Sequence, residues 1–386
     1  MNATKTILIF TDWYIPGSKA GGPIQSVYNL ALILSKHFVV KVVCRDRDLH
    51  SIESFTSIKQ NDWNEISSQH YVLYLSPDNT NFKIIKSLIK ENKHNILYIN
   101  GLYSFYFSFL PVFFAAIFNL KTVFISVRGM LHKSALSVKR TKKMIFLAFA
   151  KGYGLYKNFV LLSSNNLETI EIQRILGEQK VKEVPNIPIN PNAIERSKKV
   201  FKGEDKILRI LFLGRVSPEK NPIVLLKSLQ SATFKVEVTF CGSNNEGDYS
   251  LQFENELKKL PSCVNANIIG DLPHNELGSL FQKNDILALP SLGENFGHAI
   301  FESFAFGLPV IIGNNTPWKD LESKQVGFEI EPTNEMELLK HIVFFNELTP
   351  ELFADWSSNA HNLAISYYRD NNFEEIYLKL FNASKP

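Results

Sequence analysis

Two carboxylates stand eight positions apart in Pro290-Ser-Leu-Gly-Glu294-Asn295-Phe296-Gly297-His298-Ala-Ile-Phe-Glu302. A short apolar run, Ile286–Leu289, reads as a strand leading into this segment. Glu294 then falls in a strand-to-helix loop, and Gly297 with His298 would open a helix that carries Glu302 about one turn further in. The first N–H groups of a helix lack internal partners and attract an anion. Charged carboxylate oxygens accept strong hydrogen bonds from hydroxyl groups. The arrangement therefore suits a ligand that is both anionic and rich in hydroxyls. The bland alternative is a helix-starting Glu favoured by the helix dipole, plus a surface Glu.

Two further clusters have similar grammar. Gly214-Arg215-Val-Ser-Pro-Glu-Lys220-Asn221-Pro222 follows the strand-like Leu208–Leu213. Arg215 can fork onto a phosphate and Lys220 adds a point charge, at a strand end where open α/β sheets bind ligands. Two solvated charges in a turn would look the same. Near the start, Pro16-Gly-Ser-Lys-Ala-Gly21-Gly22-Pro23 follows Thr6–Phe10 and runs into a helix, with proline suited to its first position. Gly21 and Gly22 would admit a ligand to the backbone, or simply make a turn. The spacing is not the dinucleotide fingerprint, which argues against a nicotinamide-dependent oxidoreductase.

The elements that must position these clusters alternate along the chain. The 386 residues suffice for two domains. Strand-like runs at Thr6–Phe10, Phe38–Cys44, Tyr71–Leu75, Ile96–Asn100, Thr122–Val127 and Phe159–Leu162 are separated by helical stretches. The series restarts at Leu208–Leu213, Val236–Cys241, Ala266–Ile269, Ile286–Leu289, Val310–Ile312 and Phe328–Ile330. Strand–helix–strand alternation predicts parallel sheets covered by helices. Between the two series, Val184-Pro-Asn-Ile-Pro-Ile-Asn-Pro191 and the charged Glu195–Lys206 read as loop and linker. The expected boundaries are residues 1–190, a linker at 191–206, a second domain at 207–365, and a last helix at 366–386 that packs back on the first domain.

At this point a resemblance is plain. Glu294 and Glu302, then Gly307-Leu-Pro-Val310, resemble the Glu-x7-Glu signature of the retaining GT-B glycosyltransferases of "family four". Gly214-Arg215 and Lys220-Asn221 match that group's diphosphate turn, Gly21-Gly22 its first glycine loop, and Val184-Pro-Asn186 its inter-domain turn. The resemblance spans nearly the whole chain and is most specific over residues 208–331. It implies two Rossmann-like doubly wound domains facing a central cleft, and a nucleoside-diphosphate sugar as donor. Arg215 and Lys220 would neutralise the diphosphate. Glu302 would hold the ribose and Glu294 the transferred sugar. Backbone groups of Asn295, Phe296, Gly297 and His298 would touch sugar and phosphate. Many members have a His at the end of a first-domain strand; here the strand ends in Arg128-Gly129-Met130-Leu131-His132, so Arg128 or, from the loop, His132 would take its place. The Arg-Gly-Met-Leu sequence resembles a bacterial polysaccharide subset. No metal or other cofactor is expected.

The partners follow from charge. Residues 1–200 carry 26 Lys+Arg and 13 Asp+Glu, and no acid lies between Glu91 and Glu168. Such a half suits an anionic partner, or complements the acidic second half. Residues 128–157 interleave basic residues with Met144-Ile-Phe-Leu-Ala-Phe-Ala150, which suits an anionic membrane face, or a helix with one solvated basic side. The uncharged Leu102–Leu120 contains Pro111 and is expected as a helix buried against the sheet rather than a membrane span. The acceptor is expected to be a glycan or lipid-linked oligosaccharide. Three widely spaced cysteines and a start without a secretory pattern suit the cytoplasm, with peripheral attachment to the inner face of the plasma membrane. Rival readings are an epimerase-like GT-B enzyme and a nucleic-acid-binding protein; the second lacks any recognisable binding module.

Overall fold

The structure is a computed structural model that describes residues 5–92, 95–132, 135–136, 139–194, 201, 206–244 and 247–382. The chain forms two compact units, residues 1–187 with 372–386, and residues 188–371. Most of the expected linker, residues 195–200 and 202–205, lies outside the described residues, as does Lys133 of the basic stretch.

The first unit is built on eight strands: β1 (Thr6–Phe10), β2 (Val39–Arg45), β3 (Trp63–Ser67), β4 (His70–Leu75), β5 (Ile96–Asn100), β6 (Val123–Ser126), β7 (Val160–Ser163) and β8 (Lys180–Glu183). They lie in the order β3-β4-β2-β1-β5-β6-β7-β8. All pairs are parallel except β3–β4. Every residue of β5 and β6 is buried. Burial on both sides is why these strands read as continuous apolar runs. The helix at Phe373–Asn382 belongs to this unit. Its Phe381 ring meets Phe38, Tyr98 and Phe124, and the Tyr377 hydroxyl donates to the carbonyl of Pro185 at 3.0 Å.

The second unit has six strands, β9 (Leu208–Leu213), β10 (Val236–Cys241), β11 (Val264–Gly270), β12 (Ile286–Leu289), β13 (Val310–Gly313) and β14 (Gly327–Ile330). Their order is β11-β10-β9-β12-β13-β14, all parallel. Each unit is thus a Rossmann-like α/β layer structure.

Two expectations need correction. The uncharged segment is not one buried helix: a widened turn at Phe105–Phe109 leads into Leu110–Ile117, and both Phe105 and Ile117 are 56% exposed. The last helical stretch is broken after Asp370, with Asn372 at φ 39°, into Pro350–Asp370 and Phe373–Asn382.

Candidate functional site

The order of the second sheet reverses between β9 and β12. From β9 the chain moves outward to β10 and β11, then returns to β12 on the opposite side. Loops leaving the carboxyl ends of two such strands diverge and leave a crevice, the usual ligand position in open α/β sheets. The two loops here are the Gly214–Asn221 turn and the Pro290–Gly297 loop. Lys220 Nζ lies 2.6 Å from Glu294 Oε1, so the pair bridges the reversal point. The side chains of Lys220 and Glu294 are 21% and 10% exposed.

Close packing holds this turn. A Cβ on Gly214 would stand 3.4 Å from Lys220 Cγ, and one on Gly242, just beyond β10, would stand 2.2 Å from the Gly214 carbonyl oxygen. Gly242 also has φ +143°, so two independent reasons require glycine there. Asn221 is left-handed at the start of the helix Pro222–Leu229, and its Nδ2 donates to the Pro332 carbonyl at 2.8 Å. Arg215 is more exposed and stands 3.7 Å from Glu219 Oε2. An exposed pair at that distance is weak.

The Glu294 loop is fastened from the β13–β14 side. The Glu294 N–H donates to the Asn315 carbonyl at 3.0 Å, and Asn315 Nδ2 donates to Leu292 at 3.2 Å. The Leu292 N–H donates to the Glu219 carbonyl at 2.8 Å, which ties the two loops directly. Trp318 Nε1 donates to the Phe296 carbonyl at 2.6 Å, and its ring packs on Phe296, Phe301 and Phe304. Trp318→Ala is expected to lower stability by about 3–5 kcal/mol through the cavity it leaves. Trp318→Phe should cost about 1 kcal/mol, mainly the lost hydrogen bond. Chemical denaturation of the two variants checks both values.

Helix His298–Ala305 begins at Gly297, which is left-handed at φ +78°. It buries Ile300, Phe301, Phe304 and Ala305. Glu302 is also buried, at 5% exposure, so it is not the surface Glu of the bland reading. Its Oε1 lies 3.1 Å from His274 Nε2, at the start of helix His274–Lys283. Burial disfavours a charged His274 ring, but the hydrogen bond and charge of Glu302 outweigh burial and raise its pKa above the ordinary histidine value. A histidine pKa raised on folding adds stability that is fully present below the unfolded value. That stability fades as pH rises through the folded value. Stability of the parent relative to His274→Gln should therefore fall by up to about 1 kcal/mol on going from mildly acidic to mildly alkaline pH. Urea titrations of the two proteins at both ends of that range measure it.

The first unit places its own candidates at strand ends. Gly21 (φ +64°) precedes helix Gly22–Leu34; a Cβ there would meet nothing within 4 Å, so backbone conformation rather than space calls for glycine. The loop before it is pinned by Asp48, whose Oδ2 accepts the N–H groups of Ser18 and Lys19 at 2.8 and 3.1 Å. Arg128 follows β6 in a left-handed conformation, φ 56°. Its Nε donates to Asn100 Oδ1 and its Nη2 to the Tyr98 hydroxyl, both at 3.0 Å. Burial lowers the pKa of Arg128, but Tyr98, Tyr377 and Glu168 outweigh it and raise the value further, so the group stays charged. His132 is exposed on the following loop.

The structure therefore joins Lys220 with Glu294 and seats Glu302 on the helix that follows. Sequence reasoning missed His274, Asn315, Trp318, Gly242 and Asp48. Only Gly242, a glycine directly after a strand, left a local signal.

Residues 193–363 match the family model described as glycosyl transferases group 1. An uncharacterised glycosyltransferase of Haemophilus influenzae is 29% identical over 214 residues, which are 53% of this chain and 58% of that protein. The chain thus spans little more than half of that relative's length. Among solved structures, Anabaena HepE in complex with UDP-glucose superposes with a TM-score of 0.72 at 16% identity, over 99% of this chain and 100% of that one. WaaG, a glycosyltransferase involved in lipopolysaccharide biosynthesis, gives 0.66 at 13% identity over 97% and 99%. The two α/β units have the fold of the GT-B glycosyltransferases.

Proposed function

We propose that the chain transfers a hexose-type sugar from a nucleoside-diphosphate sugar to a hydroxyl of a glycan or lipid-linked acceptor, with retention and without a metal. The observation that carries this reading is the Lys220–Glu294 pair at the strand-order reversal, beside the helix that bears Glu302. Lys220 and Arg215 neutralise the diphosphate. Charge that develops on the leaving phosphate is met by these cations and by the start of helix His298–Ala305. Glu302 accepts from the ribose hydroxyls, and Glu294, held by Lys220, accepts from the sugar hydroxyls. The bond from C1 to the diphosphate oxygen breaks. The acceptor oxygen attacks from the same face and passes its proton to the departing phosphate. For the first unit the reading keeps the roles that the resemblance implies for Gly21 and Gly22 and for Arg128 or His132. Arg128 is favoured because Asn100 and Tyr98 already hold its guanidinium in place.

The UDP-glucose complex of HepE makes UDP-glucose the first donor to try, and the WaaG likeness agrees with a role in cell-surface polysaccharide synthesis. A cytoplasmic setting is part of the reading. Among the described residues, no helix is long and apolar enough to cross a membrane. The test is incubation of donor sugars with simple alkyl glycosides in the presence of EDTA, followed by proton NMR of the product. A new glycoside with the donor's anomeric configuration supports the reading. An inverted product refutes retention, and activity lost to EDTA refutes metal independence. Donor converted to another nucleotide sugar without acceptor would favour the epimerase-like alternative.

A further inference from the structure

The first unit exposes an aromatic surface that the donor chemistry does not use. Phe105 stacks on Phe109 with centroids 5.6 Å apart, and Phe109 reaches Phe149 at 6.3 Å on helix Arg140–Gly152. Phe149 in turn stacks on Tyr153 at 5.5 Å. Far from being buried, Phe149 is 49% exposed, Ile145 66% and Tyr153 76%. Contiguous exposed apolar groups of this kind mark an interaction face.

The charges around this face choose the partner. Lys139, Arg140 and Lys142 are exposed at the start of helix Arg140–Gly152, whose first turn holds no acid. A helix start carries partial positive charge, so cations there oppose the dipole and weaken the isolated helix. Lys143, in the same turn, is held below the ordinary lysine range by burial and, to a lesser extent, by the neighbouring Lys139. A local preference broken this consistently points to function. Anions arriving from outside would relieve both the lysines and the helix end.

We propose that this face docks on an anionic phospholipid surface. Phe105, Ile145, Phe149 and Tyr153 enter the headgroup–acyl boundary, and Lys139, Arg140 and Lys142 meet the lipid phosphates. The inference rests on this face alone and not on the transferase reading. Co-sedimentation with vesicles of phosphatidylcholine, with and without about 30 mol% phosphatidylglycerol, tests it. Bound protein is expected to rise at least about fivefold with the anionic lipid and to fall again at high salt. The double variant Ile145→Ser/Phe149→Ser should lose about tenfold in binding. A Lys139→Gln/Arg140→Gln/Lys142→Gln variant should no longer distinguish the two vesicles. Melting by circular dichroism, expected to change only slightly because these side chains are half-exposed or more, separates lost binding from lost folding. Equal binding to both vesicles, or variants that bind like the parent, would overturn the proposal. So would a parent that dimerises through this face and ignores vesicles, with the serine variant monomeric in sedimentation velocity. Nucleotide-sugar binding measured on the same samples reports separately on the transferase site.

Discussion

Lys220→Ala is expected to lower kcat/KM for the sugar donor by about 10²–10³-fold, the usual loss when one preorganised group facing developing charge is removed. Two effects combine. The diphosphate loses a cation, and Glu294 loses the partner 2.6 Å away that balances its charge. An unpaired carboxylate in a crevice that takes an anionic donor repels that donor. The same change should reduce stability by about 1–3 kcal/mol, since a half-buried charge is left without its partner. Lys220→Arg keeps the charge but carries it on a planar fork in place of a compact ammonium, so an intermediate rate is expected. Steady-state kinetics at a temperature well below each variant's melting point separates the catalytic loss from the stability loss.

Glu302→Ala should weaken donor binding by about 10–100-fold, because hydrogen bonds to a charged group are worth about 1.5–3 kcal/mol. Its effect should fall on KM more than on kcat, since the ribose is remote from the bond that breaks. This separates it from Lys220, whose loss acts on the leaving group. Glu302→Ala should also erase the pH-dependent stability assigned to His274, whose ring bonds the Glu302 carboxylate at 3.1 Å. Donor titrations and urea curves on one variant therefore check two assignments at once.

The strands that matter for the site were legible because they are largely buried and mostly apolar: Ile286–Leu289 is buried throughout, and in Leu208–Leu213 only Arg209 interrupts the apolar run. Ile286–Leu289 and Leu208–Leu213 match the structure residue for residue. The strands missed were Trp63–Ser67 and Lys180–Glu183, at the two edges of the first sheet, whose residues are partly or fully exposed. An edge strand needs little apolar sequence, so hydrophobic patterning does not announce it. The Glu294–Glu302 spacing was legible because both residues lie on one loop and helix. The Lys220–Glu294 contact joins loops 74 residues apart, and only the strand order brings them together. Trp318 and His274 were missed for the same reason: each acts on a residue more than 20 positions away. Arg128 was picked from its place at a strand end. Its holders, Tyr98 and Asn100, come from the neighbouring strand β5, and local sequence says nothing about that pairing.

Calorimetric titration of the parent and of Lys220→Ala with UDP-glucose, UDP and other nucleoside-diphosphate sugars tests the central claim most directly. The site described here requires one nucleotide class to bind the parent in a single-site isotherm, and Lys220→Ala to bind it at least about tenfold more weakly, a loss of roughly 1.4 kcal/mol. Binding of equal strength to parent and variant would contradict the placement of the diphosphate at the β9–β12 reversal. A folded parent that binds none of these ligands would contradict the donor assignment itself.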